Sequence, residues 1–118
     1  MEMFRLPSSN GNAIRRYGDE VVSVQVTKGK KYFTDESGRK YDFSDPPVDL
    51  NGNTYYPEHS PDYTADFMLF ETEQAAKDHQ LRRQIAVEVA RTNFFGLPLH
   101  KLLAIRAILE KEAEYEDT

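Results

Sequence analysis

Cysteine is missing from all 118 residues of this sequence. Without cysteine the chain has no disulfide framework, no thiolate metal site and no cysteine nucleophile. A chain that does without disulfides suits a reducing compartment. We therefore expect a cytoplasmic protein.

Long hydrophobic runs are also missing. No stretch approaches the roughly 18 consecutive apolar residues of a membrane-spanning helix, so we predict no membrane association. The N-terminal stretch MEMFRLPSSNG has no basic segment followed by an apolar run, and it is not a secretory signal. With 118 residues, 39% of them hydrophobic, the chain is expected to form one domain with one modest core.

Recognisable catalytic and metal-binding motifs are missing as well. The three histidines, His59, His79 and His100, have no second ligand at a spacing typical of a metal site. There is no serine at a strand–turn–helix elbow, no paired-carboxylate pattern and no glycine-rich phosphate loop. We therefore expect no metal, no cofactor and no enzymatic activity.

What the sequence does contain is a β-meander. Three short runs rich in β-branched and aromatic residues, Val21–Val26, Lys31–Thr34 and Arg39–Phe43, are separated by the turn signals Lys28-Gly29-Lys30 and Asp35-Glu36-Ser37-Gly38. This pattern predicts three antiparallel strands joined by tight turns.

The segments around the meander are less regular. The apolar patch Met3-Phe4-Leu6 predicts an edge strand or a loosely packed segment. Residues 44–64 form a long connection that can hold a brief strand at Thr54-Tyr55-Tyr56, and Ala65–Phe70 predicts a further strand. The predicted single domain has three parts: a variable N-terminal segment (1–20), a meander or barrel with its connection (21–70) and a helix pair (72–114).

Two helices are predicted to complete the chain. Thr72 is a good N-cap for a helix from Glu73 to about Thr92, in which Leu81, Ile85 and Val89 form an apolar stripe. A second helix opens at Leu97-Pro98. The short connection between them makes the helices antiparallel neighbours.

The predicted fold class is therefore α+β. It combines a small, bent antiparallel β-sheet or partial barrel of four to five strands with an antiparallel two-helix hairpin. We expect the helices to pack on each other and on an open side of the sheet. Monomer and homodimer both remain open.

Charge is distributed unevenly along the chain, whose net charge is −5. The segment from residue 44 to residue 71 has six acidic residues and no lysine or arginine, and it carries three tyrosines. Such a segment suits a basic protein surface, including one that normally holds nucleic acid, because tyrosine gives large contact area. The predicted partner-binding residues are Asp49, Tyr55, Tyr56, Glu58, Asp62 and Tyr63.

The alternative is direct binding of nucleic acid by the basic meander. Its basic residues surround Tyr32, Phe33 and Tyr41, and basic strands interleaved with aromatic residues can stack bases and follow phosphates. The candidate residues are Lys28, Lys30, Lys31, Arg39 and Lys40. A purely structural explanation also stays open, in which the lysines protect sheet edges from pairing and the tyrosines of the connection pack onto the barrel.

The segment VTKGKKYFTDESGRKYDF resembles the opening of small bacteriophage-encoded β-barrel domain proteins. Ala65–Phe70, the helix after Thr72 and the helix after Leu97-Pro98 are similar to the two-helix ending of the same group. The resemblance covers roughly residues 21–112, and the first 20 residues and the long connection depart from it. It implies no catalytic residues. It implies instead a phage accessory protein in the host cytoplasm that inhibits or modulates a host protein, such as a nucleic-acid-handling defence factor.

Overall fold

The computed structural model describes residues 1–9, 12–60 and 65–116, with side chains as far as residue 111. The strands are β1 (Glu2–Pro7), β2 (Val22–Lys28), β3 (Tyr32–Asp35), β4 (Lys40–Asp42), β5 (Tyr56–Pro57) and β6 (Phe67–Phe70). The helices are α1 (Ala13–Tyr17), α2 (Glu73–Ala90) and α3 (Leu99–Glu116), with a short 3-10 turn at Phe94–Gly96 between α2 and α3.

The six strands form one antiparallel sheet in the order β4-β3-β2-β1-β6-β5. Its two outer strands approach each other, because Tyr41 forms a bridge with Glu58 and the amide of His59 donates to the carbonyl of Lys40 at 2.7 Å. The sheet is therefore a nearly closed barrel in which each strand lies beside its neighbour in sequence. The predicted α+β class is confirmed, with six strands instead of four or five.

Strand β1 occupies a different place from the one expected. It lies between β2 and β6 in the sheet, with Leu6 opposite Met68 and Met3 opposite Val24. Met3 and Leu6 are fully buried. The expectation of an edge strand or a loose segment was wrong, since one of the strand's two partners, β6, lies some sixty residues further along the chain, where local patterns give no signal.

Strand β6 separates two hydrophobic clusters. Phe67 and Leu69 point into the barrel, whereas Met68 and Phe70 point outward toward α2, as the two-residue period of a strand requires. The barrel cluster is completed by Met3, Val26, Phe33, Tyr41 and Tyr56. The outer cluster is completed by Leu6 and Ala76.

Helix α2 does not bury the face that was predicted. Leu81, Ile85 and Val89 are about half exposed, whereas Ala76 and Arg83 are buried. The buried face is polar because the guanidinium of Arg83 donates to the carbonyl of Pro7 at 2.7 Å and to the carboxylate of Asp19 at 2.6 Å. A hydrogen-bonded arginine therefore replaces the expected apolar stripe.

The chain divides into two compact units, Met1–Ile85 and Ala86–Thr118. The first contains the barrel and both hydrophobic clusters. In the second, the apolar side chains Leu99, Ile108 and Leu109 are well exposed. The expected burial of the apolar face of α3 is not found.

Candidate functional site

The carboxylate of Asp49, in the acidic connection, points into the fold. The backbone amides of Asn53 and Asn51 donate to Asp49 Oδ1 at 2.9 and 3.0 Å, and His79 Nδ1 lies 3.0 Å from Oδ2. The side chain of Asp49 is 2% exposed. Burial alone would raise the pKa of Asp49, but the bond from Asn53, the contact with His79 and the bond from Asn51 together lower it below its ordinary value. This carboxylate holds a turn to α2.

Tyr56 and Glu58 are also used inside the fold. The Tyr56 hydroxyl donates to Glu71 at 2.5 Å, and burial together with this bond raises the pKa of Tyr56 to about 12. Glu58 accepts hydrogen bonds from Arg39 Nη1 at 2.7 Å and from the Asp66 amide at 3.0 Å. Its side chain is 3% exposed. These contacts bind β5 to β6 and to the β3–β4 hairpin.

The predicted partner-binding set is therefore not one surface. Of its members, Asp49, Tyr56 and Glu58 have internal partners, and Tyr55 is half-buried with its ring 5.9 Å from that of Phe70. The connection closes the barrel, and its acids Asp49 and Glu58 meet donors of the same chain. The partner-binding role of this set stays a prediction. Asp62 and Tyr63 lie outside the described residues.

The basic meander shows the opposite arrangement. Its four lysines, Lys28, Lys30, Lys31 and Lys40, are all exposed. Arg39 is the exception in the predicted nucleic-acid-binding set, because its guanidinium binds Glu58.

Arg39 is a structural residue of the barrel. Its side chain is 26% exposed, donates to Glu58 and to the Tyr17 hydroxyl at 3.3 Å, and lies 4.8 Å from the centre of the Phe67 ring. Burial would lower the pKa of Arg39, but the bonds to Glu58 and Tyr17 raise it. We therefore remove Arg39 from the candidate binding residues.

Tyr32 is the centre of the remaining basic surface. In β3 it faces outward while its neighbour Phe33 is buried in the barrel. The ammonium groups of Lys31 and Lys40 lie 5.6 and 5.7 Å from the centre of the Tyr32 ring, and the His59 ring lies 5.0 Å from it. Both ammonium distances are within the range of a cation–π interaction. We call Lys31, Tyr32, Lys40 and His59 the lysine–tyrosine cluster.

One acidic group lies beside this cluster. Asp42 is opposite Tyr32 in the β3–β4 register. Its carboxylate accepts hydrogen bonds from the hydroxyl and amide of Ser44 at 2.6 and 2.8 Å, which lower the pKa of Asp42, with smaller contributions from Lys31 and His59. Asp42 is thus a local anion with its own donors next to the exposed lysines.

Two further lysines extend the basic surface toward the β2–β3 turn. Lys28 ends β2, with its ammonium 5.2 Å from the centre of the Phe43 ring. Lys30 lies in the turn itself and is exposed. Glycine suits position 29 of the turn, because a Cβ there would make a tight contact of 3.3 Å with the carbonyl oxygen of Tyr32. The turn thus carries three of the four lysines.

His59 is a member of the cluster that sequence reasoning missed. It follows Glu58, which bridges Tyr41, and its amide donates to Lys40, so only closure of the barrel brings it beside Tyr32. The Asp49–His79 pair was missed for the same reason, since thirty residues separate its members. No local spacing rule could have found either contact.

His79 borders a cavity of about 260 Å³ that is also lined by Ser8, Ser9 and Tyr55. The Ser8 hydroxyl donates to the carbonyl of Ala65 at 2.9 Å and so contributes to the packing of β1. Within the described ranges, no three histidine, aspartate or glutamate side chains come together in a way that could hold a metal ion.

No protein-family model matches this chain, and no curated protein or solved structure is significantly similar to it. The resemblance to phage-encoded β-barrel proteins therefore stays a prediction. None of the helices in the described residues combines the length and the apolar character needed to cross a membrane.

Proposed function

We propose that this protein is a non-catalytic binding protein whose ligand is single-stranded nucleic acid, held on the lysine–tyrosine cluster. The observation that carries the proposal is the placement of two exposed ammonium groups, those of Lys31 and Lys40, beside the half-buried ring of Tyr32, which faces away from the barrel core. A nucleotide offers a base that can stack on such a ring and a phosphate that can accept from such ammonium groups.

Closure of the barrel supports this proposal over the structural explanation of the lysines. Lysines protect a sheet where an edge strand has unpaired backbone groups. Strand β4 is paired with β3 on one side, and on the other side Tyr41 and Lys40 contact Glu58 and His59. Lys40 therefore lies where the sheet continues, and protection of an edge does not explain its charge.

The test is a titration of a fluorescently labelled single-stranded oligonucleotide, followed by anisotropy at low salt. We expect binding by the unmodified protein and its loss in Lys31→Glu/Lys40→Glu, because phosphate contacts dominate such affinity. Tyr32→Ala should weaken binding by about 1–3 kcal/mol, the usual cost of losing one stacked base.

The matched control is Lys77→Glu/Arg91→Glu, which makes the same change of charge at two exposed side chains, Lys77 on α2 and Arg91 directly after its last residue. This control should keep most of the binding. No binding at low salt by the unmodified protein would overturn the proposal. If the control loses as much binding as Lys31→Glu/Lys40→Glu, the loss reflects net charge alone. That result would also overturn the proposal of a defined site.

A second candidate function is binding of a host protein, as the resemblance implies. One observation favours it: Val48 and Leu50, at the turn of the acidic connection, are 61% and 80% exposed. Val48 pairs with Thr54, so the turn is a small hairpin with Val48 at its base and Leu50 exposed at its tip. Under this second candidate function, the protein is a phage accessory inhibitor of a nucleic-acid-handling defence factor. It contacts that factor through the tip of the hairpin.

Capture of proteins from nuclease-treated bacterial lysate tests this second candidate. We expect a partner that is retained by Lys31→Glu/Lys40→Glu and lost with Leu50→Asp. A captured protein that disappears after nuclease treatment would be explained by a shared nucleic acid, and would favour the first proposal.

A further inference from the structure

The unit from residue 86 to the C-terminus has no core of its own among its described side chains. None of these is buried, and only Leu97 and Ile105 are partly covered. The unit has fewer than roughly 40 residues, and a domain of that size usually needs disulfides, metals or oligomerisation to be stable. Since the chain has no cysteine, a disulfide cannot supply the missing stability.

Helix α3 carries large apolar side chains on several sides, with Lys101, Arg106 and Glu110 between them. At 3.6 residues per turn, Leu102 and Leu109 lie on one side, Leu103 lies near Leu99, and Ile108 lies on the side opposite Leu99. These five apolar side chains are exposed. Large apolar side chains of a helix are normally buried against a neighbour, so this helix favours a partner that covers them.

The exposed apolar area of this unit is the size of a protein interface. Summed over its large apolar residues, the exposed fractions amount to about five fully exposed side chains. At roughly 150 Å² each this is roughly 750 Å², comparable to one partner's share of a standard interface. The contributing residues are Val87, Val89, Phe94, Phe95, Leu99, Leu102, Leu103, Ile108 and Leu109.

The charges along α3 indicate what covers it. The first half contains Lys101 and Arg106, whereas the sequence from Glu110 onward contains five acidic residues and one lysine. Bases near the N-terminus and acids near the C-terminus both oppose the helix macrodipole, so this helix is unfavourable alone. A parallel copy would set the acidic ends side by side. An antiparallel copy sets each acidic end beside a basic first half.

We propose that α3 pairs with α3 of a second copy of this chain in a symmetric, antiparallel dimer. A two-fold interface uses the same patch on both subunits, which α3 satisfies because its two halves complement each other in charge. The dimer does not depend on the nucleic-acid-binding function proposed above.

The molar mass of the full chain, measured by light scattering or sedimentation over a dilution series, tests the proposal. We expect twice the chain mass of 13.6 kDa, falling to that of the single chain on strong dilution. Leu102→Glu/Leu109→Glu should halve the molar mass at concentrations where the unmodified protein is dimeric. Leu50→Glu, the same change at an exposed leucine of the barrel unit, should leave the dimer intact.

A charge variant makes the test independent of apolar packing. Lys101→Glu/Arg106→Glu should also dissociate the dimer, and high salt should restore part of it by screening the new repulsion. The near-ultraviolet circular dichroism of the barrel tyrosines should be unchanged in every variant. A single-chain mass for the unmodified protein at every concentration would overturn the proposal. So would a dimer that survives Leu102→Glu/Leu109→Glu.

Discussion

The basic meander and the acidic connection carry charge at similar density, yet the structure uses the two in opposite ways. The lysines of the meander, Lys28, Lys30, Lys31 and Lys40, are exposed around Tyr32. Two acids of the connection point inward, since Asp49 contacts His79 and Glu58 binds Arg39, whereas Asp45 is exposed. Charge that has a partner within the chain stabilises the fold, and charge without one is available to a ligand.

The difference follows from the position of each segment in the barrel. The connection passes from β4 to β5 and closes the sheet, so its side chains meet backbone amides, an arginine and a histidine of the same chain. The meander forms one wall, and the alternation of β3 sends Tyr32 outward as it sends Phe33 inward. Four predictions test whether the charged groups of each segment stabilise the fold.

The largest expected effect is on stability, from Glu58→Ala. Removal of Glu58 leaves the partly buried guanidinium of Arg39 without its carboxylate and the amide of Asp66 without its acceptor. We expect a loss of about 3 kcal/mol in the free energy of unfolding, as for other buried pairs that lose one partner. Urea unfolding measures it.

The control for this prediction is Glu36→Ala, which removes an exposed carboxylate from the β3–β4 turn. It should change the stability by less than about 0.5 kcal/mol. Equal small effects at both positions would contradict the assignment of Glu58 to the fold.

Asp49→Asn should have a smaller effect that depends on pH. The pKa of Asp49 is lowered in the folded protein, so its carboxylate adds stability above the ordinary value of 3.8 and loses that contribution as the pH falls through the folded value. We expect a cost of about 1–2 kcal/mol at neutral pH, from weaker charge-assisted hydrogen bonds. The difference between the two proteins should shrink in acid. Urea midpoints over a pH series measure it, and a constant difference down to strongly acidic pH would contradict it.

Tyr56→Phe should cost about 1 kcal/mol, the usual net value of one hydrogen bond, because it removes the bond to Glu71. The pKa of Tyr56 is raised to about 12, so the folded protein holds this proton more tightly than the unfolded chain. Stability from this group is therefore lost as the pH rises from about 10 to 12. A spectrophotometric titration should show one fewer tyrosine with a raised pKa in the variant. An unchanged titration would assign the raised pKa to a tyrosine other than Tyr56.

The smallest expected effect on stability is that of Lys31→Glu/Lys40→Glu. Both side chains are exposed, and changes at exposed positions usually stay within about 0.5 kcal/mol. Thermal unfolding measures it. A loss as large as that of Glu58→Ala would mean that these lysines serve the fold.

Local patterns were sufficient for the elements whose partners are near in sequence. Three features lie close to where they were predicted: the strands of the meander, the turns around Gly29 and Gly38, and the start of α2 after Thr72. Thr72 caps the helix as expected, since its hydroxyl accepts from the amide of Ala75 at 3.1 Å.

What local patterns could not provide are the long-range pairings. Closure of the barrel determines three of them: the central position of β1, the contact of Glu58 with Arg39, and the position of His59 beside Tyr32. The buried side of α2 was misjudged because Arg83, a charged residue, is buried through hydrogen bonds to Pro7 and Asp19. Local charge density could not show that Asp49 and Glu58 have partners inside the fold.

The most direct test of the central claim is an amide NMR titration of the unmodified protein with a single-stranded oligonucleotide at low salt. We predict shifts concentrated at Lys30–Tyr32, Lys40 and His59, with the amides of Asn51 and Asn53, which hold the Asp49 carboxylate, unchanged. Shifts confined to the acidic connection, or no shifts at all, would contradict the account.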